Sequence, residues 1–514
     1  MSTIQRFSGE NGLSIDVFRE TRITLQSDLD ERYDCNYRSP EYFRTIKTIR
    51  ATCKKQGWRL EKVGEINGLK VKVGSTPKGR ESFSTISGIP FIKTKNVYKG
   101  YLKTDNLSFL TKEAHRKNNA NSIKDGDVLL TIIGANFDVI GRAYLFNHHD
   151  LDDIKVEEAN INQNIARLNG IPDAYDKNYF EHFLNSRSGQ AQIRRFSKQS
   201  VQVNLSTNEV KLVHIPRPPK ELQKRIAKIV LQGRKIADKI KAECDRQVEK
   251  VNQELLDVAG ISLPKVEVRS FQSCILDQLN VNFYHPKYVK LLKDLENQEK
   301  MGRIHLKRLR DVSPRISRKC SLDDQNTYRY IELGDVDVHT GKVISCKPIL
   351  GSDPPSRAKW EIKENYLLVP TLKGSSKKVA MVDKEFEDCI ASSGFVIFSL
   401  QNEALRFYLF AVLRSPIVQL QYEKRATGSI MADVRPDVVE DFCIPLPRDT
   451  EVFHTVTAKI KERMGYIMRV YGEAERIIQQ TESIFNKVVL GHITIEQAEE
   501  LSSALYHTIL SSYS

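Results

Sequence analysis

This 514-residue sequence has no apolar run close to eighteen residues, the length at which a segment becomes a candidate membrane-spanning helix. Residues 1–7 also lack the apolar region of a secretion signal, so we expect a cytoplasmic protein without a membrane partner. The eight cysteines are scattered, and the closest two lie eighteen positions apart, without any Cys-x-x-Cys or Cys/His cluster. We therefore expect reduced thiols and no metal site.

Motifs for cofactors and catalysis are also missing. There is no Gly-x-x-x-x-Gly-Lys-Ser/Thr phosphate loop, and no Gly-x-Gly-x-x-Gly follows a strand pattern. Residues 351–356 resemble the Asp-Pro-Pro-aromatic motif of amino-methyltransferases, but Ser356 has no ring to stack on an extruded base. The Pro-Asp pairs at 172–173 and 436–437 are not followed by the Glu-x-Lys of a nuclease. We predict no catalytic residue and no cofactor in this chain.

Charge is the first positive signal. The chain has 79 Lys and Arg against 65 Asp and Glu, which gives a net charge of +14 and a pI near 9.2. Such an excess favours a polyanionic partner. An apolar fraction of 40% in a chain of this length is enough for two or more domains, each with a core.

The sequence repeats itself internally, a feature that decides domain organisation before any motif does. Five segments recur in order at offsets that shrink from 246 to 239 to 229 positions: Asn36–Tyr42 with Asn282–Tyr288, Leu60–Ile66 with Leu306–Val312, Phe91–Val97 with Tyr330–Val336, Ile123–Leu130 with Ile362–Val369, and Ile215–Pro218 with Ile444–Pro447. Shrinking offsets are expected if the second copy lost loop residues. The chain is therefore predicted to be a tandem duplication.

A long helix is predicted after each repeat. Prolines 216, 218 and 219 exclude a helix up to that point, and apolar residues then recur every three or four positions to Leu255. The second helix has the same pattern, through positions such as Val452, Ile460, Ile467 and Phe485. Two helices with matching narrow apolar seams most simply pair as an antiparallel coiled coil. The alternative is that each helix packs only on its own domain.

Each repeat is mainly β and ends in a helix. Strands are predicted at 89–92, 127–133, 367–369 and 394–398, with turns at 99–100, 125–126 and 340–341. Helices follow at 178–184 and 406–413. A capping box at Thr494 and Gln497 predicts a last amphipathic helix through Leu501, Leu505 and Ile509. The predicted fold class is α+β: two tandem α/β domains separated by two long antiparallel, coiled-coil spacer helices.

Polar and basic clusters occupy similar places in both copies. Arg and Lys suit phosphates, whereas amides and guanidinium groups on a held loop can read base edges. One such cluster alone would be interpreted as a solvated loop, and the amides of 160–164 could simply hold a loop backbone. Their recurrence favours DNA binding by the following candidates: Lys93, Lys95, Asn96, Asn162, Gln163, Asn164, Arg195, Lys198, Gln199, Ser200 and Gln202 in the first copy, and Lys373, Ser375, Ser376, Lys377, Lys378, Arg425, Thr427 and Ser429 in the second.

The pattern resembles the specificity (S) subunit of type I restriction–modification systems over about residues 30–490. The matching segments are Trp58–Ile66, Gly74–Pro77, Gly88–Lys93, Gly126–Leu129, Asn160–Ala166 and Ile215–Ile226. The second copy departs from the pattern, with Asn365-Tyr366 in place of the Gly-Asp turn and Arg329-Tyr330 in place of Ile-Pro. Its own signature is therefore weaker.

The resemblance implies two target recognition domains, each of which reads one half of a bipartite site in double-stranded DNA. It divides the chain into an extension (1–29), recognition domain 1 (30–218), a central spacer helix (219–258), recognition domain 2 (259–448), a second spacer helix (449–490) and a tail (491–514). The helices would fix the separation of the half-sites and dock DNA methyltransferase (M) subunits. S-adenosylmethionine, and ATP with Mg²⁺ where restriction/translocase (R) subunits join the complex, would belong to those partner subunits.

Two other classes of function stay open at this point. A self-contained DNA methyltransferase or nuclease would bind the methyl donor or a metal in the isolated chain. A sequence-neutral architectural protein would bind all duplexes equally, with an affinity that falls steeply with salt.

Overall fold

The computed structural model describes residues 40–513 except for 85–86, 105–106, 119–120, 135–136, 155–157, 200–202, 264–285 and 426–433. The chain divides into two compact units. Unit 1 contains the residues up to 236 together with 476–514, and unit 2 contains residues 237–475. The predicted extension at 1–29 lies outside the described residues, as do positions 36–39 and 282–285 of the first pair of repeats.

The described α-helices are α1 (Pro40–Gln56), α2 (Lys112–Lys117), α3 (Lys177–Asn185), α4 (Arg187–Phe196), α5 (Thr207–Val210), α6 (Lys220–Ala259), α7 (Pro286–Lys300), α8 (Leu309–Val312), α9 (Glu403–Arg414), α10 (Pro416–Arg425), α11 (Pro436–Glu440), α12 (Thr450–Val489) and α13 (Ile495–Tyr513). The long helix α6 begins directly after Pro218 and Pro219, as the fixed φ of proline predicts. Both long helices have 40 residues, or about 60 Å of axis.

The strands of unit 1 are β1 (Arg59–Lys62), β2 (Lys70–Val73), β3 (Phe83–Ser84), β4 (Ile89–Ile92), β5 (Val97–Tyr98), β6 (Tyr101–Leu102), β7 (Ser108–Leu110), β8 (Ser122–Ile123), β9 (Val128–Thr131), β10 (Ile133–Gly134), β11 (Ala143–Leu145), β12 (Ala159–Ile161), β13 (Ile165–Asn169), β14 (Lys198–Gln199), β15 (Val203–Asn204) and β16 (His214–Arg217). They form a four-stranded sheet β11-β9-β13-β2, a five-stranded sheet β3-β7-β4-β12-β8 and smaller ribbons, β1-β16 and β10-β15-β14 among them.

The strands of unit 2 are β17 (Ile304–Arg308), β18 (Arg315–Ile316), β19 (Thr327–Ile331), β20 (Lys347–Leu350), β21 (Ala358–Glu361), β22 (Tyr366–Pro370), β23 (Ala380–Met381), β24 (Ile390–Ser392), β25 (Phe395–Ser399) and β26 (Cys443–Pro447). They form the sheets β18-β25-β22-β23 and β20-β19-β24-β21 and the ribbon β17-β26.

The two units share a topology. In unit 1, β4 pairs in parallel with β12, and β9 pairs antiparallel with β13. In unit 2, β19 pairs in parallel with β24, and β22 pairs antiparallel with β25. The ribbons β1-β16 and β17-β26 also correspond, since each joins the first strand of a repeat to the strand that precedes its long helix. The α+β fold class is thereby confirmed, with equivalent elements in both halves.

The long helices pack together within each unit. In unit 1, Ile226 and Val230 of α6 share a buried core with Phe485 and Val488 of α12. In unit 2, Lys241 pairs with Glu475 at 2.6 Å, and Glu254 pairs with Arg463 at 3.0 Å, so the residue order shows that the helices are antiparallel. Val452, expected in the seam, is 43% exposed because it lies in the first turn of α12, before the paired region.

The last helix starts at the predicted capping box. The Thr494 N–H donates to Gln497 Oε1 at 2.9 Å, and the Gln497 N–H donates to Thr494 Oγ1 at 3.3 Å. Ile509 is buried as expected, whereas Leu501 is 47% exposed and the buried face includes Ala498 instead. The helix turns this face toward α6, where the Tyr506 hydroxyl donates to the Ile229 carbonyl oxygen.

Candidate nucleic-acid interface

Three loops of unit 1 meet at one end of its four-stranded sheet. Strand β9 ends at Thr131 opposite Ile165, where β13 begins, and β2 ends at Val73 opposite Ala166. The segments that continue beyond these positions are 74–77, 132–134 and 162–164. The ribbon β14-β15 joins them because Asn204 pairs with Ile133. We call these three segments, with β14 and β15, the loop edge of unit 1.

Gly74 permits this close assembly. A Cβ atom at position 74 would lie 2.3 Å from the Ile161 carbonyl oxygen and 2.4 Å from that of Asn162, which no side chain can tolerate. Beside it, the Ser75 hydroxyl donates to Asn118 Oδ1 at 2.9 Å and accepts from the Asn121 side chain at 2.7 Å. The Gly-Ser-Thr-Pro segment is therefore held by contacts on both sides.

Unit 2 has a corresponding loop edge, formed by 371–378 and 392–394, which match the segments 132–134 and 162–164 of unit 1. The Thr371 N–H donates to the Gly394 carbonyl at 2.9 Å, as the Ile132 N–H does to the Asn164 carbonyl in unit 1. The Thr371 carbonyl accepts from Val434 at 2.6 Å, as the Ile132 carbonyl accepts from Leu205 at 2.8 Å. Val434 and Leu205 thus occupy equivalent places in the two units.

The candidates at 93–96 do not share one environment. Lys95 is exposed, whereas Asn96 is only 1% exposed and its side chain bonds the Lys93 N–H and the Lys103 carbonyl, both at 3.0 Å. The Lys93 ammonium donates to Ser108 at 2.8 Å and lies 5.6 Å from the Phe91 ring. Burial, with a smaller effect of Lys95, lowers the pKa of Lys93. Lys95 is the most exposed member of this cluster.

Asn162 holds a turn. Its side chain is largely buried and its Oδ1 accepts from the Asn164 N–H at 3.3 Å. Ser392 occupies the equivalent position in unit 2, where its hydroxyl accepts from the Gly394 N–H at 3.1 Å. Two different residues making one bond indicate a backbone role. Gln163 is exposed beside Thr76, with which it shares a hydrogen bond, and Asn164 is half-buried.

Arg195 is packed inside unit 1. It is 6% exposed, and its guanidinium carbon lies 4.0 Å from the centre of the Tyr42 ring and 4.6 Å from that of Phe43. The sequence could not reveal this, because these aromatic residues lie on α1, far from Arg195 in the chain. Lys198 and Gln199 form β14 and pair with Asn204 and Val203.

Two of the first-copy candidates, Ser200 and Gln202, lie outside the described residues, between β14 and β15. Sequence reasoning missed two exposed basic residues, Lys78 and Arg80, which follow the Gly74–Pro77 loop. The Gly-Ser-Thr-Pro loop is the signal that could have identified them, because small residues and a proline predict an exposed loop.

The candidate DNA-binding residues of unit 2 also differ in exposure. Lys377 is exposed, while the half-buried Lys378 donates to the Leu333 carbonyl at 2.8 Å, and burial lowers its pKa. Ser376 donates to Gln419 at 2.6 Å. Lys373 and Ser375 are half-buried in a single 3-10 turn. Arg425 ends α10, and Thr427 and Ser429 lie outside the described residues.

The groups that these edges offer to a ligand are ammonium groups, amides and hydroxyls. Exposed ammonium groups suit phosphate oxygens, and amides and hydroxyls suit base edges. Among the residues that the structure describes, no group of three or more His, Cys, Asp or Glu could hold a metal ion. None of the described helices combines the length and the apolar character needed to cross a membrane.

In a comparison with known protein families, the first repeat matches a family model. Residues 55–250 match the family model for the type I restriction modification DNA specificity domain, which confirms the resemblance indicated by the motifs. No curated protein sequence matches this chain.

Solved structures were also found. The type I restriction–modification S subunit from M. genitalium is 12% identical with a TM-score of 0.38, over 84% of this chain and 96% of that one. A structure described as the basis of complex assembly and conformational transition of the type I R-M system is 13% identical with a TM-score of 0.31, over 84% and 97%. The HsdS subunit from Thermoanaerobacter tengcongensis is 12% identical with a TM-score of 0.28, over 85% and 97%.

Proposed function

From the match of residues 55–250 to the type I restriction–modification DNA specificity domain, we propose that this chain is the DNA-recognition subunit of a type I restriction–modification or related phage-defence complex. That match is the observation that carries the proposal. The recurrence of the loop edge in unit 2 supports the next step, in which each unit reads one half of a bipartite site in double-stranded DNA.

The loop edges supply both kinds of contact that such reading needs. Lys78 and Lys95 in unit 1 and Lys377 in unit 2 are exposed and would contact phosphates. The ribbon formed by β14 and β15 would enter the major groove, which is wide enough for two β-strands. The candidates Gln199, Ser200, Gln202 and Gln163 would contact bases there. We do not retain the buried Asn96, Asn162 and Arg195 as direct DNA contacts.

Partner subunits would supply the chemistry. We propose that S-adenosylmethionine is bound by DNA methyltransferase (M) subunits docked on the long helices. ATP and Mg²⁺ would be bound by restriction/translocase (R) subunits where the complex contains them. The cytoplasm is then the compartment in which this chain would meet its DNA.

The test is selection of duplexes from a random double-stranded pool by the purified full-length chain. We expect enrichment of two short motifs at a fixed spacing. Equal binding of all duplexes, with a steep dependence on salt, would instead identify an architectural protein. Binding of S-adenosylmethionine by this chain alone, measured by calorimetry, would favour the enzyme class and contradict the proposal.

A further inference from the structure

In the described part of each unit, an arginine bonds backbone carbonyls of two separate loops. Arg414 does so in unit 2 and Arg142 in unit 1. The two residues are not equivalent by the repeat, since Arg414 ends α9 whereas Arg142 directly precedes β11. The segments that they bond are nevertheless comparable. Val336 of unit 2 corresponds to Val97 of unit 1 at the 239-residue offset of the repeat, and the other bonded segment in each unit leads into the strand that pairs with β22 or with β9.

In unit 2, Arg414 reaches four carbonyl oxygens. One belongs to the loop edge, Lys377 at 3.1 Å, and one to the residue that directly follows it, Val379 at 3.3 Å. The other two belong to a short hairpin, Val338 at 3.0 Å and His339 at 2.6 Å. Gly341 of that hairpin leaves room for the guanidinium group, since a Cβ there would lie 2.6 Å from Arg414 Nη1.

In unit 1, Arg142 makes the corresponding connection. Its Nε donates to the Asp138 carbonyl at 2.7 Å, on the segment that continues the loop edge. Its Nη1 donates to the Val97 carbonyl at 3.5 Å, and its guanidinium carbon lies 4.6 Å from the centre of the Tyr98 ring. Val97 and Tyr98 form one side of the hairpin β5-β6.

Both hairpins rest on the long helices of their own unit. In unit 2, the His339 ring stacks on Tyr471 of α12, with centroids 4.9 Å apart and planes at 18°. In unit 1, Gly100 approaches Arg234 of α6 so closely that a Cβ would lie 2.0 Å from Arg234 Nη1. We call Val97–Leu102 and residues 336–343 the helix-contacting hairpins.

We propose that Arg142 and Arg414 are positioning residues that couple each DNA-reading loop edge to the long helices through the helix-contacting hairpin. This inference rests on the proposed function, because it assigns the loop edges to DNA. It goes beyond that function in naming two residues that would not touch DNA and yet set how well each half-site is discriminated.

Lysine is the informative replacement. It keeps the positive charge, but its single ammonium group cannot span four carbonyls in the fixed fork of a guanidinium group. We expect Arg414→Lys to lower discrimination about tenfold at one half-site while the other half-site changes less than twofold. Arg142→Lys should have the converse effect, at the other half-site.

Matched controls are available in each unit. Arg310 pairs with Asp441 at 2.8 Å in unit 2, and Arg187 pairs with Glu41 at 2.8 Å in unit 1, both as exposed ion pairs. Arg310→Lys and Arg187→Lys should leave both half-sites unchanged. Dissociation constants are measured on the duplex enriched by selection and on duplexes altered in one half-site, so that a general loss of folded protein cancels in the ratio.

Hydrogen exchange without DNA provides a second measurement. In Arg414→Lys, the amides of 336–343 and of 371–379 should exchange faster together, whereas Arg310→Lys should match the parent chain. Parent-like discrimination at both half-sites, or exchange that rises in only one of the two segments, would overturn the coupling. A parent chain that enriches no motif would contradict the proposed function, and the exchange experiment would still decide whether the arginines connect the two loops.

Discussion

Gln192 and Gln421 make the same pair of hydrogen bonds to the same strand position of their respective units. The Gln192 amide donates to the His214 carbonyl at 3.0 Å and accepts from its N–H at 2.8 Å. The Gln421 amide donates to the Cys443 carbonyl at 2.9 Å and accepts from its N–H at 2.8 Å. Gln192 thus links α4 to β16, the strand that precedes α6. Gln421 links α10 to β26, the strand that precedes α12.

Replacing either glutamine by leucine should therefore destabilise its own unit. Two bonds are lost, and a backbone N–H and carbonyl lose their partners in a buried setting, so we expect a loss of about 2–3 kcal/mol in each variant. Thermal unfolding measures the effect. Gln232→Leu, at an exposed position of α6, is the control and should unfold like the parent. A Gln192→Leu melting temperature equal to that of the control would contradict the assignment.

Low pH should reduce the stability of unit 1 because His214 becomes protonated when the unit unfolds. Burial, assisted by Arg50 and Lys62, lowers the pKa of His214 to about 4. The unfolded chain binds a proton at this residue near pH 6.5, so the stabilisation is complete above that pH and is lost as the pH falls toward 4. Between pH 7 and pH 4.5, the free energy of unfolding should fall less in His214→Gln than in the parent. With a discount for partial exposure, we expect the difference to be about 1–2 kcal/mol. Identical acid unfolding curves for the two proteins would rule this out.

Lys377 and Lys378 are neighbours with different expected roles. Lys377→Ala should weaken binding to every duplex and reduce the slope of log affinity against log salt by about one, because one phosphate contact is lost. Lys378→Ala should instead lower the melting temperature and leave the slope unchanged, since its ammonium bonds the Leu333 carbonyl. The reverse pattern would show that Lys378 is the phosphate contact.

Asn162→Ser should be nearly silent. Serine makes the required turn bond at the equivalent position, Ser392, so we expect a change in stability below about 0.5 kcal/mol and unchanged choice of DNA site. Asn162→Val removes the acceptor and should lose about 1–2 kcal/mol. A serine variant that is stable but selects an altered DNA motif would return Asn162 to the set of base-reading residues.

Replacing glycine by alanine in the long helices should change stability in opposite directions at two positions. Gly465 has open space where a Cβ would be, so Gly465→Ala should stabilise the chain by about 1 kcal/mol. A Cβ at Gly233 would lie 2.6 Å from Thr481 Cγ2, so Gly233→Ala should destabilise it by about 1–3 kcal/mol. Adding Thr481→Ala should recover part of that loss in denaturant unfolding. Equal responses at both glycines would mean that the helices do not approach closely at Gly233.

The sequence was sufficient for the architecture because its determinants are local or periodic. Prolines 218 and 219 fix where α6 begins, and the turn glycines 100, 126 and 341 adopt the positive φ that their Gly-containing turns predict. The predicted strands at 89–92 and 394–398 correspond to β4 and β25, and the predicted helices at 178–184 and 406–413 lie within α3 and α9. The boundaries of the recognition domains stay predictions.

The site was less accessible to sequence reasoning, because exposure depends on contacts between distant positions. Arg195 appeared as a cation beside short polar residues, but Tyr42 and Phe43 of α1 enclose it. Asn96 appeared as a base reader, but the Lys103 carbonyl and its own turn take up its amide group.

By itself, then, the sequence determined the duplication, the fold class and the long helices. A repeat is found by comparing the chain with itself, and helical periodicity and proline act within a few turns of chain. Only the tertiary structure decided which polar groups solvent reaches and which loops meet at one sheet end. It also brought Arg142 and Arg414, from elements that the repeat does not relate, to comparable pairs of loops. Long-range packing decides which residue donates to these carbonyl groups, because a buried carbonyl can accept a hydrogen bond from any part of the chain that lies close to it.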